Sequence, residues 1–187
     1  MERRQLFAAA AATAALAMLG ACASPSPNPA RERNDIDAAA DLALARLYAA
    51  AAGSRELVSK AKGLLVVPDV LSAALVIGGS HGRGALRSSG RTAGYYSASG
   101  ASIGLVAGAQ SKDLFLLFMT EEALDRFRSG SGWTVGVDAS VAFIHAGASG
   151  RLDTESARHQ VIGLVLSNGG LIAEASFEGT KFSRLEL

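Results

Sequence analysis

Residues 95–110 read YYSASGASIGLVAGAQ, in which small and apolar residues alternate and glycines and alanines stand beside Ser97, Ser99 and Ser102. Glycine at this density in an extended segment points to bends, bulges or close sheet packing. Upstream, a strand over Ala74 to Ile77 runs into Gly78-Gly79-Ser80-His81-Gly82-Arg83-Gly84. Downstream, Leu114 to Met119 is nearly continuous apolar sequence and reads as a strand buried on both faces. Trp133 to Ile144, Val161 to Leu166, Leu171 to Phe177 and Lys181 to Leu185 read as further strands, with Asn168-Gly169-Gly170 as hairpin turn chemistry. Thr120-Glu121-Glu122 opens a helix through Arg128, with acids first, bases last and Gly130 beyond.

Nearer the N-terminus, Asn34 reads as the N-cap of a helix, with Asp35 and Asp37 in its first turn. Leu44, Leu47, Tyr48 and Ala51 recur at helical spacing. Gly53 ends that helix, Ser54 caps a shorter one reaching about Ala61, and Pro68 bounds a strand over Leu64 to Val67. Helices segregated to the front and middle of a run of strands predict an α+β fold: an antiparallel Gly-rich β-sheet or barrel-like core, with N-terminal helices and one mid-chain helix.

The first residues have a different character. Arg3 and Arg4 precede an apolar run from Phe7 to Leu19, too short as a helix to cross a bilayer and suited to a secretory signal. The run closes on Leu19-Gly20-Ala21-Cys22, which is similar to the lipobox of bacterial lipoproteins, and Cys22 is the only cysteine of 187 residues. That resemblance implies cleavage before Cys22 and acylation of its thiol and amine, a stable membrane anchor. Ala23 in place of Asp after the cysteine implies the outer membrane. Residues 23–33, ASPSPNPARER, suit an extended tether. The expected organisation is a signal peptide over 1–21, a lipidated cysteine and tether over 22–33, and a domain over 34–187.

Composition excludes several functions. Lys and Arg number 18 against 17 Asp and Glu, so no basic excess favours nucleic acid. A single cysteine allows neither an intrachain disulfide nor a multi-thiolate zinc site. The Gly-rich stretch lacks the Gly-Lys-Ser/Thr of a phosphate loop and the dinucleotide fingerprint. His81, His145 and His159 lack metal-ligand spacing, so no metal or cofactor is expected. Gly-x-Ser-x-Gly occurs twice, centred on Ser80 and Ser102, and His145 or His159 with Asp138 or Asp153 could nominally complete a triad. No helix follows either serine, so turn glycines and sheet serines are the better reading. Asp138, an acid amid apolar residues, reads as a hydrogen-bonded or outward-facing strand residue.

One cationic cluster stands out. Arg83, Arg87 and Arg91 fall within nine residues that hold no acid, and Lys60 and Lys62 end the second helix. Ser88-Ser89-Gly90 reads as a turn, so the arginines flank a hairpin tip. Guanidinium groups bind phosphate bidentately, which suits lipid headgroups.

Together these segments resemble the SYLF family, a lipid-binding domain also found in endocytic and actin-associated proteins of eukaryotes. The resemblance rests on Ala61 to Pro68, the Gly78 to Gly84 stretch, Tyr95 to Gly104, Ala107 to Gln110, Phe118-Met119-Thr120 with Ala123-Leu124, Gly132 to Asp138 and Gly170 to Thr180. It implies phospholipid binding without catalysis. Basic residues near the start of eukaryotic members contribute to phosphoinositide binding, and Lys60 and Lys62 lie in the comparable region. The lipoprotein-like signal places the chain in a bacterial envelope, where the ligand class carries over and the particular lipid does not. The expected partner is membrane phospholipid with anionic headgroups, met through Lys60, Lys62, Arg83, Arg87 and Arg91. The alternative is an envelope protein docking on a sheet edge or the N-terminal helix.

Overall fold

Alternation along three strands divides the core into two layers. In β1 (Gly63–Ala74), Leu64 and Val66 face one way and Leu65 and Val67 the other. In β4 (Gly108–Phe118), Phe115 and Leu117 oppose Leu114, Leu116 and Phe118. In β7 (Val161–Ser167), Ile162, Leu164 and Leu166 oppose Val161 and Val165. Two-sided burial is what the near-continuous apolar runs require.

The computed structural model describes residues 28–74, 77–103, 108–130, 132–144, 159–167, 170–172, 177 and 179–187. Cys22, the signal-like segment, His145 and Asp153 lie outside the described residues. The other elements are α1 (Pro29–Ala50), α2 (Ser54–Lys60), β2 (Ile77–Ser88), β3 (Arg91–Ile103), α3 (Glu121–Ser129), β5 (Trp133–Thr134), β6 (Ala142–Ile144), β8 (Gly170–Ile172) and β9 (Lys181–Leu185). Strand order is β5-β9-β3-β2-β1-β4-β7-β6, with β8 also on β7. Among the described strands all neighbours are antiparallel except β6 and β7. The curled, half-barrel sheet with its three helices is the α+β fold expected.

One layer packs under α1, through Ile36, Ala40, Ala43 and Leu47. The other surrounds α3, whose Phe127 ring lies 4.7 Å from Tyr96, 4.8 Å from Phe118 and 5.5 Å from Trp133. The α3 ends are as expected: Thr120 Oγ1 accepts from the Ala123 N–H at 3.2 Å, and Arg126 and Arg128 close the last turn.

Several boundaries differ from the sequence expectation. Helix α1 begins at Pro29, and Asn28, not Asn34, is its N-cap, its Oδ1 accepting from the Arg31 N–H at 3.1 Å. Residues 29–33, expected in the tether, are therefore helical. Gly53, in the left-handed region at φ 89°, precedes α2. Ser54 Oγ turns back to donate to the Ala51 carbonyl at 2.7 Å, closing α1 instead of capping α2. Trp133 to Ile144 is two short strands, because Gly136 at φ 82° turns the chain between them. Of the strand expected over Leu171 to Phe177, Leu171 and Ile172 lie in β8, Phe177 is in a 3₁₀ turn, and 173–176 lie outside the described residues.

Pro68 does not end β1. Proline cannot donate to a ladder, and Asp69 takes φ 48°, so the strand bulges and its register with β4 shifts between Val67 and Val70. The glycines of β2 answer that bulge. A Cβ at Gly82 would come within 2.8 Å of Val67 Cγ1, and one at Gly84 would collide with the Val66 carbonyl. Part of the Gly-rich stretch thus fits the neighbouring strand's deformation.

Candidate functional site

The β2–β3 connection is a two-residue turn in which Ser89 at φ 51° and Gly90 at φ 73° both take left-handed conformations. Such turns match the twist of the strands they join. Ser88 pairs with Arg91 across it, so Arg87 and Arg91 flank a hairpin tip as expected.

The five basic residues are not one cluster. Lys60 Nζ donates to Glu56 Oε1 at 2.7 Å, one turn back on α2. Arg83 and Arg87, four residues apart on one face of β2, lie under α1. Arg83 ion-pairs with Glu32. Arg87 Nη2 donates to Asp41 Oδ1 at 2.8 Å and to the Asp37 carbonyl at 3.3 Å, and lies 3.2 Å from Asp37 Oδ1. Lys62 and Arg91 are exposed, and neither has an ion pair among the described residues.

Two grooves meet at the tip. One, of about 300 Å³, lies between α1, α2 and the hairpin. Leu44, Val58, Ala61 and Leu64 give it an apolar wall, and Lys62, Arg87 and Asp41 supply its charges. The other, of about 340 Å³, is lined by Ser88, Ser89, Arg91, Thr92, Ala93 and Arg128. An apolar wall beside cations is the arrangement that accommodates an amphiphile.

Residues 99–186 match a family described as Ysc84: Las17-binding protein actin regulator. Over this segment the chain is similar to the Ysc84 (SYLF) family. The family is one of binding domains, associated with lipid and actin. None of the curated proteins matches the chain. The Ysc84 segment runs from the middle of β3 through β9, so the first groove is built by residues that precede it and the second borrows Arg128 from it.

The other candidates among the described residues lie within and beside the Ysc84 segment. Ser80 pairs with Gly100 across β2 and β3, and Ser102 pairs with Gly78, with strand on either side. His81 and His159 are exposed, and no group of three or more His, Cys, Asp or Glu able to hold a metal occurs among the described residues. Asp138 is a turn residue, not a strand residue: its Oδ2 accepts from the Thr134 N–H at 2.6 Å.

Two acids that the sequence did not mark as site residues organise the region. Asp37 accepts from Thr92 Oγ1 at 2.9 Å and Tyr95 Oη at 2.8 Å, besides its contact with Arg87, and so joins α1 to β2 and β3. Asp113 accepts from Arg46 Nε and Nη2, both at 2.9 Å, and from the Asp69 N–H at 3.0 Å. It latches α1 and the β1 bulge to β4. Asp37 and Asp41 stand four residues apart, the spacing of one helix face, which is the available signal.

Burial, and then the hydrogen bond to Asp37, raise the Tyr95 phenol above its ordinary pKa of 10.0. The folded state therefore keeps this proton to higher pH than the unfolded chain does. The stability it supplies is complete below pH 10 and is lost as pH rises from there through the folded value. Denaturation midpoints measured between about pH 9 and about pH 11 are expected to fall more steeply for the native protein than for Tyr95→Phe.

Proposed function

We propose that the chain is a non-enzymatic phospholipid-binding domain, held to the bacterial envelope through acylated Cys22 on the periplasmic face of the outer membrane. The observation that carries this reading is the groove in which Lys62 and Arg87 stand beside Leu44, Val58, Ala61 and Leu64. Lys62 meets a headgroup phosphate, Arg87, its charge balanced by Asp37 and Asp41, forms the adjoining wall, and the apolar side chains receive the start of an acyl chain. Arg91 and Arg128, on the other side of the tip, attract an anionic surface and orient the domain on it.

Flotation of residues 23–187 with vesicles tests this without the anchor. Binding to anionic vesicles is expected to fall with salt, and about fivefold for each charge removed in Lys62→Ala and Arg91→Ala. These side chains are exposed, so folding is expected to be unaffected. Binding that ignores both salt and the substitutions would move the site to apolar surface alone. Absence of binding to every vesicle would favour the second reading, a protein-docking module, which the family's description as binding a protein supports.

A further inference from the structure

Asp41 restricts what the groove beside α1 can hold, an inference that rests on this groove being the lipid site. Its Oδ1 is occupied by Arg87, while Oδ2 has no partner among the described residues and the side chain is 70% exposed. Asp37 and Asp41 together offset Arg87 and Lys62, so the groove is close to neutral although two cations line it. A polyanionic headgroup would gain from Lys62 and be repelled by Asp41. A headgroup with a phosphate and an ammonium would satisfy both, the phosphate at Lys62 and the N–H donors at Asp41 Oδ2. We propose that the groove selects phospholipids whose headgroup carries a primary ammonium, of the phosphoethanolamine type. A quaternary ammonium offers no N–H donor, and a glycerol headgroup offers no positive charge, so both are disfavoured.

The full chain carrying Cys22→Ser, titrated calorimetrically with monomeric dihexanoyl phosphatidylethanolamine, phosphatidylcholine and phosphatidylglycerol, tests this. Phosphatidylethanolamine is expected to bind about fivefold more tightly than either of the others. Asp41→Asn is expected to erase that preference, whereas Lys62→Ala weakens all three lipids. The comparison among lipids on the native side chains stands even if a variant misfolds. Phosphatidylglycerol or phosphatidylcholine binding as well as phosphatidylethanolamine, or a preference unchanged in folded Asp41→Asn, overturns the selectivity and leaves lipid binding intact. Failure to bind any of the three overturns the lipid site as well.

Discussion

Phe127→Ala is expected to lower the unfolding free energy by about 3–5 kcal/mol, the range for deleting a large buried aromatic ring. Phe127 is fully buried and is the ring around which Tyr96, Phe118, Trp133 and Phe182 gather, with centroids 4.7–6.2 Å away. The four rings sit on four different strands, β3, β4, β5 and β9, so their backbones are fixed in the sheet. Phe127 also fixes α3 on the sheet, and Arg128 follows it directly into the second groove. Urea denaturation should show the loss as a lower midpoint, with Phe127→Leu losing less. A loss of unfolding free energy below about 1 kcal/mol would mean that α3 is not held through this ring.

Asp113→Ala is expected to cost about 3 kcal/mol through a different mechanism. The carboxylate is buried and holds three N–H groups, two from Arg46 and the backbone N–H of Asp69. Removing it leaves the Asp69 N–H unsatisfied at a left-handed position and releases α1 from β4. Arg46 is half-exposed, so Arg46→Ala costs less, and the double variant is expected to be little worse than Asp113→Ala alone. Strict additivity of the two in denaturation experiments would show that the contact contributes nothing.

The elements that were legible carry their signal locally. Leu114 to Phe118 and Val161 to Leu166 are apolar without interruption, and Thr120, Glu121, Arg126 and Arg128 mark both ends of α3 within ten residues. The errors arose where a distant segment decides. Pro68 looked like a strand end because the glycines that receive its bulge lie on another strand. Asn34 looked like an N-cap because the proline-rich composition around Pro29 suggested a tether, although Asn28-Pro29 is itself a start signal. The hairpin tip was legible from Ser88-Ser89-Gly90, and with it the placement of Arg87 and Arg91. The pairing of Arg83 with Glu32 and of Arg87 with Asp37 and Asp41 was not, since each joins residues about fifty positions apart. A run of like charge in sequence does not reveal which of its members a helix elsewhere has already neutralised.

The bulge at Pro68-Asp69 and the bare backbone at Gly82 and Gly84 also constrain how this sequence can vary. The two stretches form one heritable unit: a side chain at either glycine requires β1 to give way at Val66, Val67 or Val70, beside the bulge whose Asp69 N–H is held by Asp113. Single changes on either side are therefore penalised alone and tolerated together, and descendants of this chain must cross that gap by paired substitution.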